Sequence, residues 1–415
     1  MKIGQGILCA LIVTASGGAW AQDFLDRLDE TLTVSAVEDR LRFRVSGALD
    51  LEAYNFPKPA PALIYASGHG LFNPRLTLFL DGQYGPHIYG FIQARADRGF
   101  DPSDEGAEMR LDEYALRLIS DRGLVNVQVG KFATVVGNWV QRHGTWENPF
   151  VTAPLPYENL TAIWNTTAFR SGTQLLNWAH VRPGASQALE YFEKPRRTPV
   201  IWGPSYASGA AVFGALGKLK YAFEVKNGSL ASHPKTWDVD DTQWQQPAFN
   251  GRVGWRPNEM WNFGFSAATG TYLPRAAAPT VAPGFKLGDY RENVLGQDIS
   301  FAWHHLQVWA EAYEVRFENP EVGNAGTIAY YTEVKYKFTP QFFGAIRWNQ
   351  QWFGNVTTAP GLEESWGRDT WRIDVAPTYR FTPHTQIKAQ YSFQQEKNTP
   401  RRYTHIFALQ FTLRF

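Results

Sequence analysis

Sulfur is scarce in this sequence, which has one cysteine, Cys9, and three methionines among its 415 residues. Because Cys9 lies among the first 21 residues, the remainder contains no cysteine, and a disulfide framework is excluded. No segment after residue 21 reaches the ~18 consecutive apolar residues that a membrane-spanning helix requires. An excess of one charge is also lacking, since 40 Lys and Arg stand against 39 Asp and Glu. A balanced chain gives no support for nucleic-acid binding.

The N-terminus has the composition of an export signal. Lys2 precedes an apolar stretch at residues 7–15, and the A-W-A sequence at residues 19–21 fits a cleavage site. The pattern predicts that residues 1–21 are a secretory signal peptide. Residues 22–40 are expected to form an N-terminal periplasmic segment; their fold and any contact with a pore are left open.

Aromatic residues are abundant, with 28 Phe, 16 Trp and 18 Tyr, yet the mean hydropathy is −0.34. This combination is typical of a β-barrel with a wet interior and aromatic girdles. Alternation is clearest in the last fifteen residues, where one face is almost entirely apolar. That face consists of Tyr403, His405, Phe407, Leu409, Phe411, Leu413 and Phe415. A strand of about ten residues with one apolar face is the unit of a bilayer-spanning barrel.

This final strand resembles the C-terminal strand of bacterial outer-membrane proteins, whose terminal Phe is a recognition signal for barrel insertion. The resemblance implies that Phe415 binds the barrel-assembly machinery. A half-buried strand of a soluble sandwich would also alternate. However, the pattern recurs at residues 41–54, 218–226 and 330–338, and closure into a barrel is the better account because it leaves no free edges.

The links between the predicted strands alternate between short turns and longer stretches rich in Pro and Gly. Outer-membrane barrels have short periplasmic turns and long external loops. On this rule, residues 41–415 are predicted to form one domain, an all-β transmembrane antiparallel β-barrel of about 18 strands. The alternative is 16 strands, if the weak pair at 161–169 and 173–181 is loop. Pro377 predicts a bulge or distorted pairing near the end of the barrel.

The longest predicted link, residues 133–159, is the third external loop in this count. It is entered through V-G-K-F-A-T-V-V-G-N-W at residues 129–139. This segment is similar to the one entering the third loop in the phosphate-selective porin O and P-like family. In such porins the third loop folds into the barrel and narrows the pore. The loop lacks a lysine cluster, so phosphate selectivity is not carried over.

The resemblance implies a set of candidate constriction residues in this loop. They are Arg142, His143, Trp146, Glu147 and Asn148. The alternative is an exposed loop that packs on the rim of the barrel.

Alternation assigns 17 basic and 9 acidic side chains to the inner faces of the strands. The candidate pore-lining residues are Arg42, Arg44, Arg75, Arg95, Arg117, Lys218, Lys220, Arg252, Lys335, Arg347, Arg372 and Lys388, with Lys226, Arg256, Lys337, Arg380 and Arg414 on the same faces. The acidic residues are Asp50, Glu52, Asp81, Asp97, Glu113, Glu224, Glu311, Glu333 and Asp374. Basic rings favour anions in pores, which predicts a modest anion preference. The alternative is that opposite charges pair across the wall and only hold its shape.

Signals for catalysis, metal binding and cofactors are poor. The nine histidines form no H-E-x-x-H or comparable ligand spacing, and no G-x-S-x-G or Gly-rich phosphate loop occurs. We therefore expect no enzyme activity, no metal and no cofactor. A barrel hydrolase with a Ser-His pair from distant strands stays open, as does a structural or adhesive barrel plugged by its loops.

The sequence thus predicts an outer-membrane porin that lets small hydrophilic or anionic solutes diffuse passively. Its expected surroundings are outer-membrane lipid and lipopolysaccharide, and the family that it resembles implies a possible homotrimer.

Overall fold

The computed structural model describes residues 31–36, 40–98, 107–179, 193–239, 242–397 and 403–415. The predicted signal peptide and residues 22–30 lie outside the described residues. The strands are β1 (Thr33–Ala36), β2 (Leu41–Asn55), β3 (Gly70–Tyr84), β4 (Ile88–Arg98), β5 (Ala107–Ile119), β6 (Asn126–Lys131), β7 (Ser208–Leu216), β8 (Leu219–Lys226), β9 (Ala248–Trp255), β10 (Trp261–Thr271), β11 (Arg291–Trp303), β12 (Leu306–Asn319), β13 (Gly323–Lys337), β14 (Phe342–Phe353), β15 (Asn355–Ala359), β16 (Leu362–Ser365), β17 (Thr370–Arg380), β18 (Thr385–Glu396) and β19 (Tyr403–Arg414). The α-helices are α1 (Leu155–Glu158) and α2 (Gly172–Ala179).

Sixteen of these strands close into an antiparallel barrel. Each pairs with the next around the ring from β2 to β14 and then through β17, β18 and β19. The last strand returns to the first, because β19 pairs with β2 from Phe407 opposite Asn55 to Arg414 opposite Ala48. Strands β15 and β16 form a separate hairpin, and β1 pairs with β2 as an extra strand. The predicted β-barrel is confirmed, and closure leaves no edge of the ring unpaired.

The strand count of 18 is wrong, and the alternative of 16 is right. Residues 161–169 contain only an isolated bridge, between Trp164 and Arg197, and much of 173–181 belongs to helix α2. The apolar side chains that suggested strands, such as Ile163 and Leu175, pack instead into a core inside the barrel. Alternation by itself cannot distinguish a strand that faces lipid from a loop that packs on such a core.

The two ends of the barrel differ in the length of their connections. At one end, here called the turn end, the links are short, such as Gly217-Lys218 and His304-His305. At the other, the loop end, lie most of the longer connections. The longest joins β6 to β7 and comprises residues 132–207, of which 180–192 lie outside the described residues. It is called the long loop below; it extends well past the predicted residues 133–159.

Alternation along the strands places the two faces as the sequence predicts. In β2, Leu49 and Leu51 are exposed on the outside, whereas Asp50 and Glu52 are buried on the inside. The β17–β18 ladder is interrupted at Ala376 and Pro377, but it resumes in the same register at Thr378 opposite Lys388. The proline therefore distorts the pairing locally, because it has no N–H to donate, without inserting an extra residue.

A β-bulge lies in the β4–β5 ladder at Asp112. Gln93 pairs with Glu113, but Ala94 pairs with Leu111, so Asp112 is the additional residue. The side chains of Asp112 and Glu113 therefore both point away from the outer face, whereas strict alternation would place one of two consecutive residues on that face. This explains why sequence alternation assigned Glu113 to the inside and missed Asp112.

Both ends of the described chain meet at the turn end. The backbone of Phe415 exchanges two hydrogen bonds with Gly47 of β2, at 2.9 and 3.0 Å. Strand β1 continues along the same edge of β2, where Thr33 lies opposite Arg44. The described part of the N-terminal segment is thus a short strand that extends the wall.

We expect the bulge to be essential for the placement of outer and inner side chains along β5. Deletion of Asp112 would shift the residues on the Met109 side by one position, turning Met109 and Leu111 from the outer face to the inner face. The deletion variant should fail to form a barrel, as measured by circular dichroism and by the electrophoretic mobility of unheated samples. The control is Asp112→Ala, which retains the residue count and should still fold. A folded deletion variant would show that the bulge is dispensable.

Candidate functional site

The long loop lies inside the barrel, and a single lysine joins its two ends. Lys226, at the loop end of β8, donates from Nζ to the carbonyl oxygens of Phe132 at 2.6 Å and Ala207 at 2.8 Å. These are the first and last residues of the long loop. Lys226 is buried and also lies 3.3 Å from the centre of the Phe132 ring. Its ammonium therefore closes the base of the loop.

Wall carboxylates hold the first part of the long loop through its backbone N–H groups. Glu311 of β12 accepts hydrogen bonds from the amides of Asn138 and Trp139, both at 2.6 Å. Glu224 of β8 accepts from the Thr134 hydroxyl at 2.6 Å. Charge-assisted hydrogen bonds of this kind are stronger than neutral ones, and each satisfies a donor that the loop would otherwise bury unpaired.

A tight contact around Gly137 completes this attachment. The hydroxyls of Tyr157 and Tyr313 donate to Glu311 at 2.5 and 2.9 Å. Gly137 has a φ of +75°, and a Cβ at this position would collide with both tyrosine hydroxyls. Glycine is therefore required here for conformation and for space.

Wall cations hold the middle of the long loop through its carbonyl oxygens. They come from β14, β17 and β18, a different sector of the wall from Glu224 and Glu311. Their hydrogen bonds are Arg347 to Thr152 at 3.1 Å, Arg372 to Ala153 at 2.6 Å, and Lys388 to Thr145 and Asn148 at 2.9 and 2.7 Å. Three of the residues predicted to line a pore thus bind the loop.

Several of the predicted pore-lining arginines are paired with buried carboxylates. Arg347 and Arg372 share Asp374, at 2.8 and 3.0 Å, and Arg372 also bonds Glu158 of the loop at 2.5 Å. Arg252 forms a bidentate pair with Asp298 at 2.7 and 2.9 Å. In these two places, opposite charges pair within the barrel.

A second network of charges follows the inner faces of β2 to β5. Arg75 bonds Glu52 at 3.1 Å and Asp97 at 3.3 Å, and Arg95 bonds the bulge residue Asp112 at 2.8 Å. Asp112 is the partner that alternation missed. Because these carboxylates offset the arginines, the local net charge is smaller than the sequence suggested.

The candidate constriction residues occupy different positions along the loop. Arg142 bonds Glu333 at 2.6 Å and lies over the Trp309 ring at 4.3 Å. His143 contacts the Tyr206 hydroxyl at 2.6 Å, and burial lowers the pKa of His143. This favours its neutral form at pH 7.

The remaining candidates lie toward the turn end. The Trp146 ring has two guanidinium neighbours, Arg380 at 4.7 Å and Arg414 at 4.0 Å. Glu147 is exposed, whereas Asn148 is buried and accepts from Lys388 through its carbonyl oxygen. The five candidates therefore include both residues that anchor the loop and residues that face open space.

The other predicted pore-lining residues differ in their contacts and in their exposure. Arg117 bonds Gln128 at 2.6 Å, and Lys335 lies 4.3 Å from the centre of the Phe343 ring. Arg42 and Lys220 are exposed near the turn end. Lys218 lies in the turn before β8 and not in a strand, because β8 begins at Leu219.

A cavity of about 570 Å³ remains between the long loop and the wall. On one side it is bounded by loop residues, including His143, Trp146 and Glu147. The wall side comes from β2 to β5, the β17–β18 turn and β19. Its titratable wall residues are Arg44, Arg75, Arg95, Glu113, His384 and Arg414. Cations thus outnumber carboxylates around this space.

The interior differs from the wet lumen that the composition suggested, because an apolar core fills much of it. Residues of the long loop, such as Trp139, Ile163 and Leu175, pack against inward side chains of the wall, such as Val315 and Phe317. Outward and inward faces of β12 are thus both partly apolar. The high aromatic content of the sequence was a signal for this core. Alternation, however, indicates only that an apolar side chain points inward and not which groups it packs against.

No family description matches the sequence, and no curated protein matches it. Solved structures do match. Salmonella typhi OmpF, in a complex with daunomycin, is 11% identical, with a TM-score of 0.54 over 92% of this chain and 100% of that chain. The trimer form of OmpT from Vibrio cholerae is 9% identical, with a TM-score of 0.53 over 91% and 100%. An anion-selective porin from Comamonas acidovorans is 9% identical, with a TM-score of 0.53 over 90% and 100%.

The chain has the fold of these outer-membrane barrels. At such identities the likeness establishes the fold, and the similarity of residues 129–139 to the phosphate-selective porin O and P-like family stays a resemblance. Within the described residues, no helix has the length and apolarity to cross a membrane. The same part of the chain contains no group of three or more His, Cys, Asp or Glu able to hold a metal ion.

Gly137 provides a test of how the long loop is held. We expect Gly137→Ala to push the loop away from Glu311, Tyr157 and Tyr313, at a cost of about 1–3 kcal/mol for overpacking in addition to left-handed strain. The folded variant should be cleaved by protease within the long loop faster than the native protein. The control is Gly203→Ala, since Gly203 also has a positive φ, +49°, but a Cβ there has open space. Equal cleavage of the two variants would contradict the predicted role of the contact.

Proposed function

We propose that the protein is an outer-membrane channel through which small hydrophilic solutes diffuse, with a modest preference for anions. The long loop narrows the lumen, and solutes pass between it and the wall formed by β2 to β5 and β19. The turn end faces the periplasm and the loop end faces outward. Residues 1–21 act as the export signal, and the protein is not an enzyme.

The cavity of about 570 Å³ is the observation that carries this proposal. It lies beside the part of the loop that contains His143, Trp146 and Glu147, three of the five predicted constriction residues. A narrow space with charged walls and a low-dielectric surround focuses the electric field and favours one sign of ion. Passage also requires binding weak enough for release, which suits a space lined by a few charges.

The proposed anion preference rests on a subset of the cations. Arg75 and Arg95 are offset by Glu52, Asp97 and Asp112, so their contribution is reduced. Arg414 bonds the Pro383 carbonyl and lies over the Trp146 ring. Together with Arg44, it supplies positive charge near the turn end of the passage.

A plugged structural barrel is a second candidate, and the apolar core favours it. The core contains residues from the long loop, from the β10–β11 connection and from the wall, such as Trp164, Tyr290 and Val315. If this packing seals the interior, the cavity near the turn end is closed at its outer side. A barrel hydrolase has less support, because the partly buried His143 contacts the Val140 carbonyl and the Tyr206 hydroxyl and not a serine and a carboxylate.

The proposed location implies the remaining partners. Outer-membrane lipid and lipopolysaccharide would surround the apolar outer face, and Phe415 would bind the barrel-assembly machinery. A homotrimer is proposed as well, since one of the similar structures, OmpT of Vibrio cholerae, is described in a trimer form.

Conductance and reversal potential in a planar bilayer under a KCl gradient test the channel directly. We expect stable single-channel conductance and a reversal potential on the chloride side. The double variant Arg44→Gln/Arg414→Gln should reduce the anion-to-cation permeability ratio several-fold, because it removes two charges from the passage.

The matched control is Arg122→Gln/Arg256→Gln, which removes two exposed arginines from turns at the same end, after β5 and after β9. Alternation assigned Arg256 to an inner face, but β9 ends at Trp255 and Arg256 lies in the turn that follows. This control should leave the ratio nearly unchanged, because exposed charges outside the passage are largely screened by salt, with a Debye length of about 10 Å at 0.1 M. Cation selectivity would retain the channel and reject the anion preference. The absence of conductance from a folded barrel would favour the plugged alternative.

A further inference from the structure

The wall cations fall into two groups according to the groups that face them. Away from the turns they face carboxylates, as Arg95 faces Asp112 and Arg347 faces Asp374, both at 2.8 Å. Near the turn end four of them lie against aromatic rings instead. These four, called the ring-supported cations below, are Arg117, Lys335, Arg380 and Arg414. Each lies within two residues of the turn-end terminus of its strand.

Three aromatic rings surround Arg117 on the β5 side of the lumen. Its guanidinium carbon lies 5.6, 5.8 and 5.2 Å from the ring centres of Tyr89, Phe91 and Phe213. Its Nε and one terminal nitrogen donate to the Gln128 side chain at 2.9 and 2.6 Å. Within the described part of the chain, Arg117 forms no ion pair. Arg117 and the three aromatic residues are all partly exposed, so its remaining N–H donors adjoin an accessible apolar surface.

The other three ring-supported cations lie on β13, β17 and β19, and two rings connect them. Arg380 and Arg414 lie 4.7 and 4.0 Å from the centre of the Trp146 ring of the long loop. Arg380 and Lys335 lie 5.3 and 4.3 Å from the centre of the Phe343 ring. Neither Lys335 nor Arg380 forms an ion pair with a described carboxylate. Cations that rest on aromatic rings therefore line the turn-end mouth from several directions.

An aromatic ring beside a cation determines which anions that cation can hold. The face of the ring attracts the cation, but it donates no hydrogen bond to a ligand. Phosphate and sulfate are strongly hydrated, so a site for them must supply donors in place of their water. For a divalent anion the attraction to the cations about doubles, whereas the hydration free energy rises about fourfold, as the square of the charge. The rings therefore disfavour compact divalent anions.

The same arrangement favours an anionic group that is attached to an apolar ring. The carboxylate of such a ligand can accept from the remaining guanidinium donors while its ring packs beside Phe91, Phe213 or Trp146. Covering about 60 Å² of apolar surface strengthens binding about tenfold. The cavity of about 570 Å³, which Trp146 and Arg414 line, has room for such a molecule, because pockets for small organic ligands have volumes of ~300–1,000 Å³.

We propose that the turn-end mouth is a selectivity site for organic monoanions that carry an apolar ring, in preference to compact divalent oxyanions. The ligand class comprises aromatic carboxylates and sulfonates. This inference rests on the proposed channel function and narrows its solutes. Arg117 is the central residue, because it combines hydrogen-bond donors with three neighbouring rings and no ion pair among the described residues.

Competition with the chloride current tests the proposal. In planar bilayers at pH 7 and constant ionic strength, potassium benzoate, acetate or sulfate is added to KCl, and the concentration that halves the chloride current is measured. Benzoate should halve the current at a concentration about tenfold lower than acetate, because benzoate covers the surface of a ring and acetate covers only that of a methyl group. Sulfate should require at least as high a concentration as acetate.

Two phenylalanines on neighbouring strands provide matched variants. Phe213 of β7 lies beside Arg117, whereas Phe223 of β8 is 55% exposed on the outer face. The two lie at the same height, since Phe213 is opposite Ala222 and Phe223 is opposite Val212. Phe213→Leu should raise the halving concentration of benzoate about threefold by removing a flat contact and leave that of acetate unchanged. Phe223→Leu should change neither.

Three results would overturn the proposal: equal halving concentrations for benzoate and acetate, a lower one for sulfate than for benzoate, or the same effect from Phe213→Leu and Phe223→Leu. Titration calorimetry of the folded native protein in detergent separates this inference from the channel. If the barrel conducts no chloride, the channel is rejected, and calorimetry decides the inference by the same comparison of benzoate, acetate and sulfate. A chloride current without preference for benzoate would retain the channel and reject the inference.

Discussion

The structure depends on one constraint: a long, irregular segment inside a barrel must have its backbone polar groups satisfied. The wall meets this requirement with charges of opposite sign in different sectors. Glu224 and Glu311 accept from the loop, whereas Arg347, Arg372 and Lys388 donate to its carbonyl oxygens. Because these charges bind the loop or one another, they contribute less to the electric field inside the barrel than their number suggests.

The same arrangement explains why the interior is neither open nor uniformly filled. Where wall and loop are both apolar, as at Val315 and Ile163, they pack into a core. Where the wall carries Arg44, Arg75 and Arg95, the loop leaves a cavity. The shape of the cavity thus depends on which sector of the wall can pair with the polar or apolar groups of each part of the loop. Strands β6 to β9 are four neighbouring short strands of 6 to 9 residues, and they include the two strands from which the long loop departs and to which it returns.

Alternation predicted most of the barrel from sequence, because a strand with one apolar face has only one way to place its side chains. It identified the inward position of Glu52, Arg347 and Lys388 correctly. It failed at the bulge, where the side chains of Asp112 and Glu113 both point away from the outer face. It also failed in residues 161–181, where buried apolar residues of the loop produce a pattern like that of a strand. Neither failure has a local signal, since both depend on neighbours distant in sequence.

The sequence by itself determined the fold class and the face of most regular strands, which follow from local periodicity and turn composition. The entry of the third loop into the barrel was only implied by the resemblance at residues 129–139, and a loop on the rim was the alternative. Only the tertiary structure decided the count of sixteen strands, the pairing of Arg252 with Asp298 and the role of Lys226 at the base of the loop. The physical reason is that charge pairing and burial depend on which groups meet across the barrel, and alternation gives the direction of a side chain but not its partner.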